Sequence, residues 1–200
     1  MSKRDGKILS LSGMNVSAEN SGQLNDYFQE NPEKGMHGIG FSAYEEGQEP
    51  GDELSLAQVQ RRMSILKPYV KWVRSFSCIQ GNELIPIVAK QSGLKTLVGA
   101  WLGKDLEKNE LEVEALIKLA KDGYVDIAAV GNEVMYREDL TEEQLLDYIR
   151  RFKAAVPNVP VGYVDAYYEF EDRQAITEIC DVILANCYPF WEGCSIEYSL

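Results

Sequence analysis

Ile127-Ala128-Ala129-Val130-Gly131-Asn132-Glu133 is the stretch of this chain whose residue types come nearest to a reaction. An apolar run stops at a glycine and delivers an amide and a carboxyl side by side. Runs of this length without polar alternation suit strands buried on both faces, as in parallel α/β sheets. A carboxyl at the C-terminal end of such a strand stands where barrel enzymes keep their chemistry. If partial burial lets it hold a proton near neutral pH, it can serve as a general acid. Glu45, Glu46, Asp105, Asp165 and Glu192 are the other carboxyls placed after predicted strands, and Asp165 and Glu192 are the two that could reach inward. Nucleophilic and metal chemistry is thinly supplied. His37 is the only histidine and precedes a predicted strand, at the wrong end for Ser-His-Asp or Cys-His catalysis. Cys78, Cys180, Cys187 and Cys194 form no Cys-x-x-Cys and no metal-ligand spacing. They read as free thiols, with a Cys187–Cys194 bridge reserved for an exported protein. No metal and no cofactor is expected.

Glu133 is useful only if the surrounding elements aim it. After residues 1–36, an N-terminal arm without clean periodicity, strand-like and helix-like runs alternate through residues 37–200. The first strand is Gly38-Ile39-Gly40-Phe41-Ser42. A helix follows from Ser55, where Ser55 and Gln58 fit a capping box, and Pro68 stops it. The second strand runs from Val70 to Phe76, the next helix from about Asn82 to Gln91 with Gly93 beyond its end, and the third strand from Thr96 to Trp101. A helix over Glu107–Lys121 carries its acids first and its lysines last, which suits the helix dipole. The fourth strand is the opening run. Thr141 and Gln144 cap a helix whose face is Leu145, Tyr148, Ile149, Phe152 and Val156; a strand over Val159–Val164, a helix over Asp172–Ile179 and a strand over Asp181–Ala185 complete the series.

This is β(αβ)₅ without a hairpin signal, hence parallel strands joined by crossovers. A doubly wound nucleotide fold should carry a Gly-rich phosphate turn after its first strand. Here Gly38-Ile39-Gly40-Phe41-Ser42 lacks the third glycine and any basic residue. The alternative, an α/β (β/α)₈ TIM barrel of which about six of eight βα units are present, explains more, because the strand ends share a chemical character. Phe41 and Tyr44, Arg74 and Phe76, Trp101, Asn132 and Glu133, Tyr163, Asp165 and Tyr167, then Asn186, Tyr188, Phe190 and Trp191 would converge on one face. Rings plus a few polar groups suit a sugar, whose C–H faces pack on aromatics while its hydroxyls seek hydrogen bonds.

The formal net charge of −12 argues against nucleic acid or an anionic membrane as a partner, and leaves a neutral ligand unhindered. No stretch approaches the apolar length of a membrane helix, and Ile8–Gly13 is too short and polar for a secretory signal. As written the chain reads as cytoplasmic, with a periplasmic or extracellular place open to a longer precursor.

Five segments at these strand ends resemble family 17 of the glycoside hydrolases, the β-1,3-glucanase and glucanosyltransferase family, and its bacterial members in particular. They are Gly40–Pro50, Val73-Arg74-Ser75-Phe76-Ser77, Val98-Gly99-Ala100-Trp101-Leu102-Gly103, Val130-Gly131-Asn132-Glu133-Val134, and Asn186-Cys187-Tyr188-Pro189-Phe190-Trp191-Glu192-Gly193. The resemblance implies a (β/α)₈ barrel acting on β-1,3-glucan with retention. It makes Glu133 the general acid/base and Asn132 a substrate-binding residue beside it. Arg74, Trp101, Tyr188 and Trp191 would line the glucan cleft, with Tyr44 and Asp165 as further binding residues. Phe76 departs from the family pattern, where a Tyr-Ser pair would be more usual.

The family's nucleophile, a Glu in a Glu-Thr-Gly-Trp-Pro-like motif after the seventh strand, has no counterpart here. The expectation is therefore a chain carrying the acid/base half of a site, with open edges on its first and sixth strands. The rest of the barrel, or a second protomer, would be its structural partner. Two other readings stay open: a β-glucan-binding protein without catalysis, and a related (β/α)₈ glycosidase acting on a β-1,4-linked glycan.

Overall fold

A computed structural model describes residues 35–194, which fall into two compact units, one over 34–186 and one that includes 187–194. The larger unit holds six strands. They are β1 (Met36–Gly40), β2 (Val70–Ser75), β3 (Lys95–Ala100), β4 (Ile127–Asn132), β5 (Val161–Ala166) and β6 (Val182–Asn186), with helices α1 (Leu56–Leu66), α2 (Leu84–Gln91), α3 (Leu106–Lys121), α4 (Glu142–Ala155) and α5 (Gln174–Ile179) between them. All five pairings are parallel and the spatial order is the chain order, β1 to β6. A doubly wound sheet reverses its strand order at a switch point; this one never does, which is the winding of a (β/α)₈ barrel.

Strand alternation sorts the side chains. Val98, Ala128, Val130, Val161 and Tyr163 pack with Val113, Leu116, Leu145, Ile149 and Phe152 of α3 and α4 in one buried cluster. A second cluster joins Val73 of β2 to Val59 and Met63 of α1 and Ile85 and Val88 of α2. Each Val, Leu, Ile, Phe or Met side chain fully removed from water contributes about 1.5–3 kcal/mol. Arg74, Leu97 and Ala129 occupy the alternate positions and so face the other side of the sheet, and Asn132, beyond the register shift that follows Ala129, meets Arg74 there.

Several boundaries differ from those expected. β1 begins two residues earlier, at Met36, and β5 two residues later, at Val161. Pro160 has no N–H for the ladder, although its carbonyl still accepts from Ala128 N. The capping box at α4 forms as expected, with Thr141 and Gln144 exchanging side-chain-to-backbone bonds. At α1 only half of it forms. Ser55 accepts from Gln58 N, but the Gln58 side chain donates to Ala43 O and Gln48 Oε1, satisfying a carbonyl of the buried residue Ala43.

β1 and β6 are the sheet edges and leave Met36, Ile39 and Ile183 exposed. Among the described residues no helix is long and apolar enough to cross a membrane, and no group of His, Cys, Asp and Glu is arranged to hold a metal. All four cysteines are free thiols.

Candidate active site

Glu133 is aimed by the backbone before and after it. Gly131 has φ +89°, and a Cβ there would lie 2.9 Å from Val134 Cγ2, so only glycine fits. The β4–β5 register shifts between Ala129 and Asn132. Such irregularities re-aim side chains beside active sites. Glu133 itself has φ +53°, an uncommon conformation for a residue with a Cβ. Its N–H is held by Val164 O at 2.7 Å and its carbonyl accepts from Arg137 N. Backbone held in a sparsely populated region costs about 1–3 kcal/mol and persists only where surrounding contacts enforce it.

Asp165 supplies much of that enforcement. It is fully buried (0% exposed), on the same side of β5 as Tyr163 and hence toward the helices. Its Oδ2 accepts from Met135 N, Tyr136 N and the Tyr163 hydroxyl, and its Oδ1 accepts from Ala166 N. Tyr163 also accepts from Met135 N. Burial and the neighbouring Asp165 both push the Tyr163 phenol well above its ordinary range, so it stays a donor. Asp165, expected at the cleft surface, instead pins the loop after Glu133 from beneath, because β5 extends past it to Ala166.

On the opposite side of the sheet a chain of polar contacts crosses the strand ends. Arg74 Nη2 donates to Asn132 Oδ1 at 2.5 Å, and its guanidinium lies 4.5 Å from the Phe76 ring centre. Asn186 Nδ2 donates to Glu133 Oε1 at 2.9 Å, bringing the end of β6 to the end of β4. Arg137 joins three segments. Its Nη1 donates to Asn132 O, its Nη2 to Leu102 O and its Nε to Asp139, while its guanidinium lies 4.6 Å from the Trp101 ring centre. Trp101 remains 37% exposed, enough to offer a ring face.

Beside Trp101, at the ends of β1, β2 and β3, a cavity of about 290 Å³ is lined by Phe41, Tyr44, Phe76, Ser77, Trp101 and Glu112 among others. Tyr44 is fixed there by Asn82, whose Nδ2 donates to its hydroxyl at 3.0 Å. Glu112 of α3 accepts from Ser77 Oγ at 2.5 Å and from Cys78 N at 2.7 Å. Burial raises its carboxyl to about 6, against the lowering effect of those bonds.

The structure thus brings together Arg74, Asn132 and Glu133, and separately Tyr44 and Trp101 around the cavity. Tyr188 and Trp191 belong to the smaller unit. There a turn closes through Glu192 N to Tyr188 O and Cys194 N to Pro189 O, with Phe190 and Trp191 edge-to-face and exposed. His37 sits near the start of β1, stacked on Trp72 and at the opposite strand end from Glu133. Sequence reasoning missed Arg137 and Glu112. Arg137 follows Glu133 by one helical turn's spacing. Glu112 stands on the buried stripe of α3, among Asn109, Val113, Leu116 and Leu119, where an apolar residue belongs.

Residues 38–199 match the family described as the BtgE/BtgC glycoside hydrolase domain. A glucan 1,3-beta-glucosidase of Arthroderma benhamiae is 30% identical over 70% of this chain and 48% of its own length. The glucan 1,3-beta-glucosidase of Saccharomyces cerevisiae is 25% identical over 72% of this chain and 51% of its own. The chain therefore spans about half the length of the curated relatives it matches. Among solved structures, an active-site mutant of a Rhizomucor miehei beta-1,3-glucanosyltransferase in complex with laminaritriose superposes with a TM-score of 0.70 at 26% identity, over 84% of this chain and 62% of that one. The same enzyme is described as a member of glycoside hydrolase family 17, which bears out the resemblance to that family.

Proposed function

We propose a function for this chain, which belongs to the BtgE/BtgC glycoside hydrolase domain family: it carries the acid/base half of a retaining β-1,3-glucan hydrolase or glucanosyltransferase site. The observation that carries the reading is the placement of Glu133, turned out at the end of β4 by a left-handed backbone and held by Asn186. In this role Glu133 gives a proton to the glycosidic oxygen as the C–O bond breaks. It then takes one from the water or sugar hydroxyl that attacks the glycosyl-enzyme.

Asn132 supports substrate recognition. An arginine has only donors to give, so Arg74 fixes the Asn132 amide with its oxygen toward the guanidinium and leaves its NH₂ as the donor for a sugar hydroxyl. Retention needs a second carboxyl about 5–5.5 Å from the first. Asp165 cannot serve, because its oxygens already accept from backbone N–H groups and Tyr163 in a site without solvent. Glu112 is likewise occupied. The family resemblance assigns that role to a seventh strand.

The test is product analysis with the full-length protein on laminarin, cellulose and mannan. The expected result is cleavage or transfer on the β-1,3-glucan with the anomeric configuration retained. Cleavage of a β-1,4-linked glycan alone would overturn the substrate, and laminarin binding without any turnover would overturn the enzyme.

A further inference from the structure

Glu112 is a buried ionisable group that the chemistry above does not use. It has no exposed surface (0%) yet belongs to the wall of the cavity beside Trp101. Ser77, which donates to its Oε1 at 2.5 Å, is a cavity-lining residue too. One hydroxyl thus bridges a buried carboxyl and the space a ligand would fill.

We propose that Glu112 and Ser77 form a proton-linked hydrogen-bond switch in the wall of a glucosyl-binding cavity, so that the protonated form binds the sugar more tightly. A serine hydroxyl has one proton to donate. With Glu112 ionised, Ser77 spends that proton on the carboxylate and can only accept from a ligand. With Glu112 protonated by solvent, the new carboxyl O–H donates to Ser77 Oγ, Cys78 N–H stays on the other oxygen, and Ser77 turns its own proton to the ligand. A ligand that fills the cavity also displaces the water the cavity would hold, and the less polar surroundings penalise the charged form. Both effects act in the same direction.

The groups around this pair fit the scheme. Lys108, one turn earlier on α3 and also in the cavity wall, favours the ionised form. Trp101 adds a backbone N–H with the same effect. Burial outweighs them, and the carboxyl titrates at about 6 rather than in the usual carboxylate range. From the loop after β2, the Cys78 thiol is pushed well up by burial, by Glu112 and by Glu83, so it stays neutral. From the loop after β1, Tyr44 faces the cavity with its hydroxyl engaged by Asn82.

The proposal rests on the glucan reading, and calorimetry with laminaritriose on the full-length protein carrying Glu133→Gln, so that the sugar is bound without being cleaved, separates the two. Titrations in buffers of different ionisation enthalpy, from about pH 5 to 8, read affinity and proton uptake together. The expected result is uptake of a fraction of a proton near pH 6–7 and an affinity that falls as pH rises. The fall is about tenfold for each unit by which binding raises the Glu112 pKa. Glu112→Gln reproduces the neutral pattern, its NH₂ donating to Ser77 and its oxygen accepting from Cys78. It should hold the low-pH affinity at every pH without that uptake. Ser77→Ala should weaken binding most at low pH. Laminaritriose binding with no proton uptake, or a Glu112→Gln variant that keeps the wild-type profile, overturns the switch alone. No binding at any pH overturns the glucan reading and the switch with it. If Glu112→Gln does not fold, proton uptake by the Glu133→Gln protein with Glu112 intact decides.

Discussion

At the scale of single residues, the site depends on side chains that hold other side chains. Arg137 is the clearest case, because one guanidinium satisfies the carbonyls of Asn132 and Leu102 and lies over Trp101. Arg137→Ala leaves both carbonyls without their charged donor and should cost about 2–3 kcal/mol in urea unfolding. Arg137→Lys should recover less than half of that, since an ammonium cannot reach in three directions from one plane. The catalytic candidate was legible in the sequence because an apolar run ending in Gly-Asn-Glu has few other uses. Arg137 and Glu112 were not, because their roles depend on loops from different strands meeting. Asp165 was misplaced for a local reason: with β5 ended at Val164 it fell in a loop, whereas a strand that continues to Ala166 puts it on the helix side with Tyr163.

At the scale of elements, β4 is built to end abruptly and α4 to begin sharply. Gly131→Ala forces a Cβ onto a left-handed backbone and against Val134, Leu145 and Tyr163. The expected loss is about 2–4 kcal/mol, with turnover falling further than stability because Glu133 is displaced. Thr141→Ala removes one half of a complete capping box and should cost about 1 kcal/mol by chemical denaturation, without changing the site. Ser55→Ala tests the same interaction where the box is only half formed. Strands and helices were legible here because the apolar runs and caps are local signals. Their ends were less so, since Pro160 and the contacts of Gln58 act across the fold.

At the scale of the whole molecule, charge and protonation set the operating conditions. A net charge of −12 does not attract a neutral glucan, so laminarin affinity should be unchanged between about 0.05 and 0.5 M salt. Glu112 makes a distinct contribution to stability. Its folded pKa of about 6 lies above the ordinary 4.5, so the folded state binds more protons across that interval. Its contribution is present below about pH 4.5 and is lost as pH rises through about 6, a change of about 2 kcal/mol. Asp181, held below its usual range by Lys153 and Val161 N, acts oppositely and loses its contribution as pH falls. The difference between the unaltered protein and Glu112→Gln isolates the first effect.

The central claim is that Glu133 is the general acid, and its most direct test compares two leaving groups. The loss in kcat/KM caused by Glu133→Gln is measured on laminaritriose and on an aryl β-glucoside whose phenol is acidic enough to leave without a proton. The expected loss is about 10²–10⁴-fold on laminaritriose and only a few-fold on the aryl glucoside. Equal losses on both substrates, or turnover of laminaritriose within a few-fold of the parent, would contradict it.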